Sequence, residues 1–111
     1  LRCPDPSANP YLALAVCLRA GLDGIANRMM PPESVDCNIF EMSREQKEAC
    51  GIEEIPGTLI EAVYAMEADP FIRDVLGSHT YTKYIDGKKA EWNRYRSQVT
   101  DWEIGEYLNN F

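Results

Sequence analysis

A chain of 111 residues is long enough for one domain with a modest core. At 45% hydrophobic and 26% charged it reads as an ordinary soluble globular sequence, and its longest apolar run is too short to cross a bilayer. A net charge of −7 sets the overall field against nucleic acid; the one basic cluster (Lys88, Lys89, Arg94 and Arg96) is interleaved with Asp86 and Glu91 and reads as a solvated helix face.

The most apolar helix comes first. Asn9 can cap it by accepting from its orphan amides, and Pro10 suits the first helical position, where a missing N–H is harmless. Tyr11, Leu14, Leu18, Leu22 and Ile25 recur at helical spacing, with Leu12, Ala13, Ala15, Val16 and Cys17 filling the other faces of the first turns. That pattern predicts a helix buried nearly all round, the floor of the fold. Gly21 and Gly24 disfavour helix, so their expected use is the close approach of another backbone. The helix should end near Asn27 and Arg28, with a cation in the last turn to suit its dipole, because Met29-Met30-Pro31-Pro32 forbids continuation.

Residues 31–42 read as an extended connector whose Val35, Ile39, Phe40 and Met42 tuck back onto that floor. Ser43 with Gln46 forms a capping box for a short helix closed by Gly51, and residues 52–57 form a turn. Thr58 with Glu61 opens the next helix, with Leu59, Ala62, Val63 and Met66 inward. Asp69-Pro70 starts another, directing Phe71, Ile72, Val75 and Leu76 inward until Gly77 stops it. A long helix then runs from Ser78 or His79 to Gln98 with the stripe Tyr81, Tyr84, Ile85, Lys88, Trp92, Tyr95 and Val99. Thr100 with Glu103 begins a terminal helix edged by Ile104, Tyr107, Leu108 and Phe111. No stretch alternates with period two, apart from residues 1–3, which could be the tail of a strand. The expectation is all-α: a single compact unit of about five or six helices.

Catalytic apparatus is sparse. Cys3, Cys17, Cys37 and Cys50 show neither a C-x-x-C pair nor a histidine at zinc-ligand spacing, and read as free thiols in a reducing cytoplasm, Cys17 being a small hydrophobe on the buried helix. His79, the single histidine, falls at a helix N-terminus, where burial or a surface cap is the ordinary explanation. Glu53, Glu54 and Glu61 lack the spacing of an acid–base pair. Asp5 fits a structural job, accepting backbone amides across the turn that Pro4 and Pro6 define. Arg2 is the exception, since a guanidinium on so stiff a base is pre-organised for a bidentate grip on carboxylate or phosphate. From the residues alone, an ordinary arginine near a chain end is the simpler reading.

The run R-x-P-D-P-x-x-N-P-Y-L-A-L-A, followed by A-G-L-D-G-I, resembles the start of the C-terminal segment of bacterial type I glutamine synthetase. The likeness continues through V-D-x-N-I-F-E-M-S, I-P-G-T-L-x-E-A, L-G-x-H, Y-I-x-x-K-K-A-E-W and Q-V-T-D-W-E-I, and so covers essentially the whole chain. It implies that residues 1–111 are the C-terminal helical portion of a catalytic α+β domain, an excised piece of something longer, which the start at Leu1 without methionine also suggests. It implies a cytoplasmic, ATP-dependent ligase joining glutamate and ammonia through γ-glutamyl phosphate, with Mg2+ or Mn2+, in a homododecamer. Arg2 matches the arginine that lines the glutamate pocket of that family. The metal-binding glutamate of the same motif would fall ahead of Leu1, so no catalytic residue, metal ligand or bound cofactor is expected in this piece, which alone should be inactive. Its partners would be the rest of the chain and neighbouring subunits, with neither nucleic acid nor membrane.

Phe40 stands where one regulated subclass has the tyrosine that accepts an adenylyl group, so the resemblance is to the subclass that is not adenylylated. The family's C-terminal segment reaches into a facing ring, a role that the edge of Ile104, Tyr107, Leu108 and Phe111 would suit; packing onto its own domain is the plainer use. An alternative of a different class is a free-standing helical interaction module without catalytic activity.

Overall fold

In the computed structural model, which describes residues 5–108, six α-helical segments follow one another: α1 (Pro10–Ala26), α2 (Arg44–Ala49), α3 (Leu59–Ala68), α4 (Pro70–Leu76), α5 (Ser78–Arg96) and α6 (Asp101–Glu103). A 3₁₀ turn at Ile39–Glu41 precedes α2, and a π turn at Ile104–Leu108 continues α6. No strand occurs among the described residues, so the all-α class holds; residues 1–3 lie outside them.

The starts of the helices follow from their caps. Asn9 Oδ1 accepts from the amides of Tyr11 and Leu12 at 3.0 and 3.3 Å, with Pro10 at the first position. Ser43–Gln46, Thr58–Glu61 and Thr100–Glu103 form complete reciprocal capping boxes, and Asp69 caps α4 through the amide of Phe71 at 2.9 Å. α2 closes as expected on Gly51, whose φ of +66° allows Gly51 N–H to reach Glu48 O and Ile52 N–H to reach Lys47 O. The end of α1 uses the same arrangement with a different residue. Arg28 N–H donates to Ile25 O and Met29 N–H to Gly24 O, with Arg28 itself at φ +51°. Arg28 is therefore not a cation in the last turn of α1 but the left-handed residue beyond it.

α3, α4 and α5 pack on one another, and α1 packs on α4. Val63 of α3 and Ile85 of α5, at 3% and 5% exposure, are the buried hydrophobic residues among those described. The dimensions are 61 × 41 × 24 Å and the radius of gyration is 18.5 Å, against about 13 Å for a compact domain of this length. The helical unit is drawn thin.

That thinness corrects the expectation for α1. Its stripe is not buried: Tyr11 is 83% exposed and Ile25 76%, and Leu14, Leu18 and Leu22 between them are exposed too. The helix turns Leu12, Ala13 and Val16 toward its neighbours instead, and each is only half-buried. Physically, α4 has seven residues and covers one side of a helix of seventeen. Gly21 and Gly24 have open space where a Cβ would stand, so they admit no backbone here. Cys17 is exposed as well. In the connector Val35 and Met42 are half-buried, but Phe40 stands 88% exposed rather than tucked away.

Candidate functional site at the entry to the first helix

Two side-chain brackets fix the path of the chain into α1. Asp5 Oδ1 accepts from both the amide and the hydroxyl of Ser7, and Ala8 N–H closes the turn on Asp5 O at 2.9 Å. Asn9 then caps the helix, so residues 5–9 form a mount braced at both ends by side-chain hydrogen bonds. The hydrogen bonds from Ser7 hold the Asp5 carboxyl below the usual carboxylate range. This is the structural role that the sequence assigns to Asp5. Arg2, the expected substrate-binding residue, lies outside the described residues, as do Cys3 and Phe111.

Elsewhere the charged groups serve the fold. Lys47 pairs with Glu54 at 2.7 Å, pulling the Glu54 carboxyl below its ordinary value through that hydrogen bond. Lys88 pairs with Glu91 at 2.8 Å, which raises the lysine and lowers the glutamate. Lys89 reaches from α5 to Glu67 of α3 at 2.6 Å and is raised by it. Arg19 of α1 stands 3.6 Å from Asp74 of α4, both largely exposed, so this pair adds little. The basic cluster of α5 is thus partly spent on carboxylates, one of them on a neighbouring helix, a tie that sequence spacing did not reveal. His79 is exposed in the first turn of α5, and Glu61 works as a cap. Among the described residues no group of three or more His, Cys, Asp or Glu could hold a metal ion. No helix among them is long and apolar enough to cross a membrane.

At the chain's other end, Ile104, Tyr107 and Leu108 are exposed on the π turn, with Tyr107 edge-on to Trp102 at 6.2 Å between ring centres. Between α1 and the α3–α5 unit runs an open apolar groove of about 340 Å³, bordered by Leu12, Val16, Met66, Ile72, Leu76 and Tyr84.

An all-helical unit with a braced entry turn and one long helix clad on a single side leaves a continuous apolar face uncovered. Comparison with known proteins identifies the family. The family model described as "Glutamine synthetase, catalytic domain" matches residues 1–107, and the chain belongs to that family. It is 50% identical over 111 residues to the glutamine synthetase of Clostridium saccharobutylicum and 48% identical to that of Staphylococcus aureus. In both cases the whole chain is matched, and it spans a quarter of the relative's length. Among solved structures, apo GmaS without ligand superposes with a TM-score of 0.76 at 37% identity, over 98% of this chain and 25% of that one.

Proposed function

We propose that residues 1–111 are the C-terminal helical portion of the catalytic domain of a bacterial type I glutamine synthetase, and that the complete protein joins glutamate to ammonia at the expense of ATP. The observation that carries this reading is the match at 50% identity along the entire chain to a quarter of a glutamine synthetase. The exposed stripe of α1 supports it, because so long an apolar face calls for cover from chain beyond these helices. In this reading the glutamate carboxylate takes the terminal phosphoryl group and ammonia displaces it.

Arg2 is the residue of this segment that meets substrate, gripping the carboxylate and the charge that develops on it. The brace from Asp5 to Asn9 fixes the path of the chain into α1 a few residues after that arginine. ATP and Mg2+ or Mn2+ belong to the remainder of the protein in this reading, because the metal-binding glutamate of the family motif falls ahead of Leu1. Ile104, Tyr107, Leu108 and Phe111 meet a neighbouring subunit of a homododecamer, and the whole works in the cytoplasm.

The test is made in the complete protein. Arg2→Ala is expected to leave folding intact and to lower glutamine formation by about 100-fold or more, as loss of a transition-state contact does. Unchanged kinetics would remove Arg2 from the site. Deleting residues 107–111 is expected to weaken ring pairing in sedimentation, and an unaltered assembly would withdraw that edge from the interface.

A further inference from the structure

Three sulfur-bearing residues line one open pocket at the turn before α2. Cys37 Sγ stands 3.8 Å from Met42 Sδ, and Cys50, at the far end of α2, lines the same pocket. Soft sulfur donors select soft, low-charge ions such as Cu(I), whereas Mg2+ and Ca2+ need oxygen and structural Zn2+ takes four ligands. Two sulfurs bound at about 2.3 Å to a three-coordinate ion stand about 4 Å apart, close to the separation seen here. From the Cys37–Met42 spacing and the third sulfur-bearing residue lining the same pocket, we infer that Cys37, Met42 and Cys50 close around a Cu(I) ion as a three-sulfur site.

The backbone holds each donor in place. Asn38 locks the 3₁₀ turn between the first two, accepting from Phe40 N–H at 3.2 Å and donating to Glu41 at 2.8 Å. Met42 N–H closes that turn on Ile39 O, and Ser43 next to it opens the capping box of α2. Cys50 caps the other end of α2, where Gly51 turns the chain away. Cys37 and Cys50 are exposed and free, so the ion needs no opening to enter, and the two thiols release their protons to solvent as it binds.

The experiment titrates the complete, reduced protein with Cu(I) alone, without oxygen, against a chromophoric Cu(I) chelator. Cys37→Ser and Cys50→Ser should each remove one tightly held equivalent. Met42→Leu should weaken the site by about 10-fold or more, in the range reached when a metal site loses a supporting contact. Cys17→Ser, on α1, should change nothing. X-ray absorption should count three sulfurs around the copper of the wild type and two in Met42→Leu. None of the four substitutions touches Val63 or Ile85, the buried hydrophobic residues among those described, and circular dichroism checks that each variant folds. Equal copper uptake by the wild type and a Cys37→Ser, Cys50→Ser double variant would overturn the proposal. So would a disulfide between Cys37 and Cys50 persisting under those reducing conditions in place of bound copper.

Discussion

The Tyr81 hydroxyl of α5 donates to the main-chain oxygen of Met66 in the last turn of α3 at 3.3 Å, across a separation of fifteen positions. Carbonyls at a helix end lack intrahelical partners, so this bond supplies one from another helix. The same ring lies 6.0 Å from the Arg73 guanidinium of α4, and three helices therefore meet at one aromatic side chain. Tyr81→Phe keeps the ring and removes the bond. It should cost about 1 kcal/mol, read as a lower denaturant midpoint with an unchanged slope. No loss of stability would mean that water serves the Met66 carbonyl equally well.

Arg28 should be improvable. A residue with a Cβ in the left-handed region carries a cost of about 1 kcal/mol that glycine avoids, and Arg28 sits there at φ +51° to end α1. Arg28→Gly is expected to raise the melting temperature, while Arg28→Val, branched at Cβ, lowers it. The reverse order in a thermal melt would show that the arginine side chain contributes more than its backbone strain.

How far the sequence reveals this fold depends on how local the signal is. Asn9, Ser43, Thr58, Asp69 and Thr100 announce helix starts because a cap needs only its own first turn, and all five caps are present. The left-handed role of Arg28 was hidden because glycine ordinarily marks such a position, as Gly51 does at the end of α2. The stripe from Tyr11 to Ile25 was legible as an apolar face but not as an uncovered one. Periodicity states that a face is apolar and is silent about what lies opposite. For the same reason Tyr95 of α5, and Val99 three residues beyond its end, belong to the predicted stripe yet stand exposed. The entry turn was readable from Asp5 and its prolines, and the resemblance that singles out Arg2 comes from ordered motifs rather than from any packing signal.

The end of the chain should respond to acid. Glu103 accepts from the Thr100 amide at 2.8 Å and its hydroxyl at 2.9 Å, and these bonds, the amide first, hold its carboxyl below the ordinary 4.5. A depressed carboxylate stabilises the folded turn above its ordinary value and loses that contribution as pH falls through the lowered one. NMR titration should therefore place the Glu103 midpoint below that of a free glutamate, with Trp102 and Tyr107 signals broadening over the same interval. Thr100→Ala should move the midpoint back up. A midpoint indifferent to Thr100 would leave the capping box without thermodynamic weight.

The bridge between Lys89 and Glu67 should be a salt-sensitive tether. Both side chains remain more than a third exposed, so solvent screens them, and at about 1 M salt the screening length falls to about 3 Å. A double-mutant cycle with Lys89→Met and Glu67→Gln should show favourable coupling at low ionic strength that vanishes at high. Coupling that survives 1 M salt would indicate a pair better sheltered than its exposure implies.

The uncovered stripe of α1 makes the sharpest contrast between part and whole. Leu14 and Leu18 are exposed in this segment, so Leu14→Asp or Leu18→Asp should leave the helix content of the 111-residue piece unchanged and reduce its binding of an apolar dye. In the complete protein proposed above, further segments would cover α1 at these positions, and an unpaired carboxylate there would be desolvated. There each substitution should cost about 3 kcal/mol or more, or prevent assembly outright. Thermal melts of both lengths, side by side, supply the measurement. Equal tolerance in both would mean that α1 keeps its stripe in water even in the complete protein, and that its leucines await a partner outside the catalytic domain.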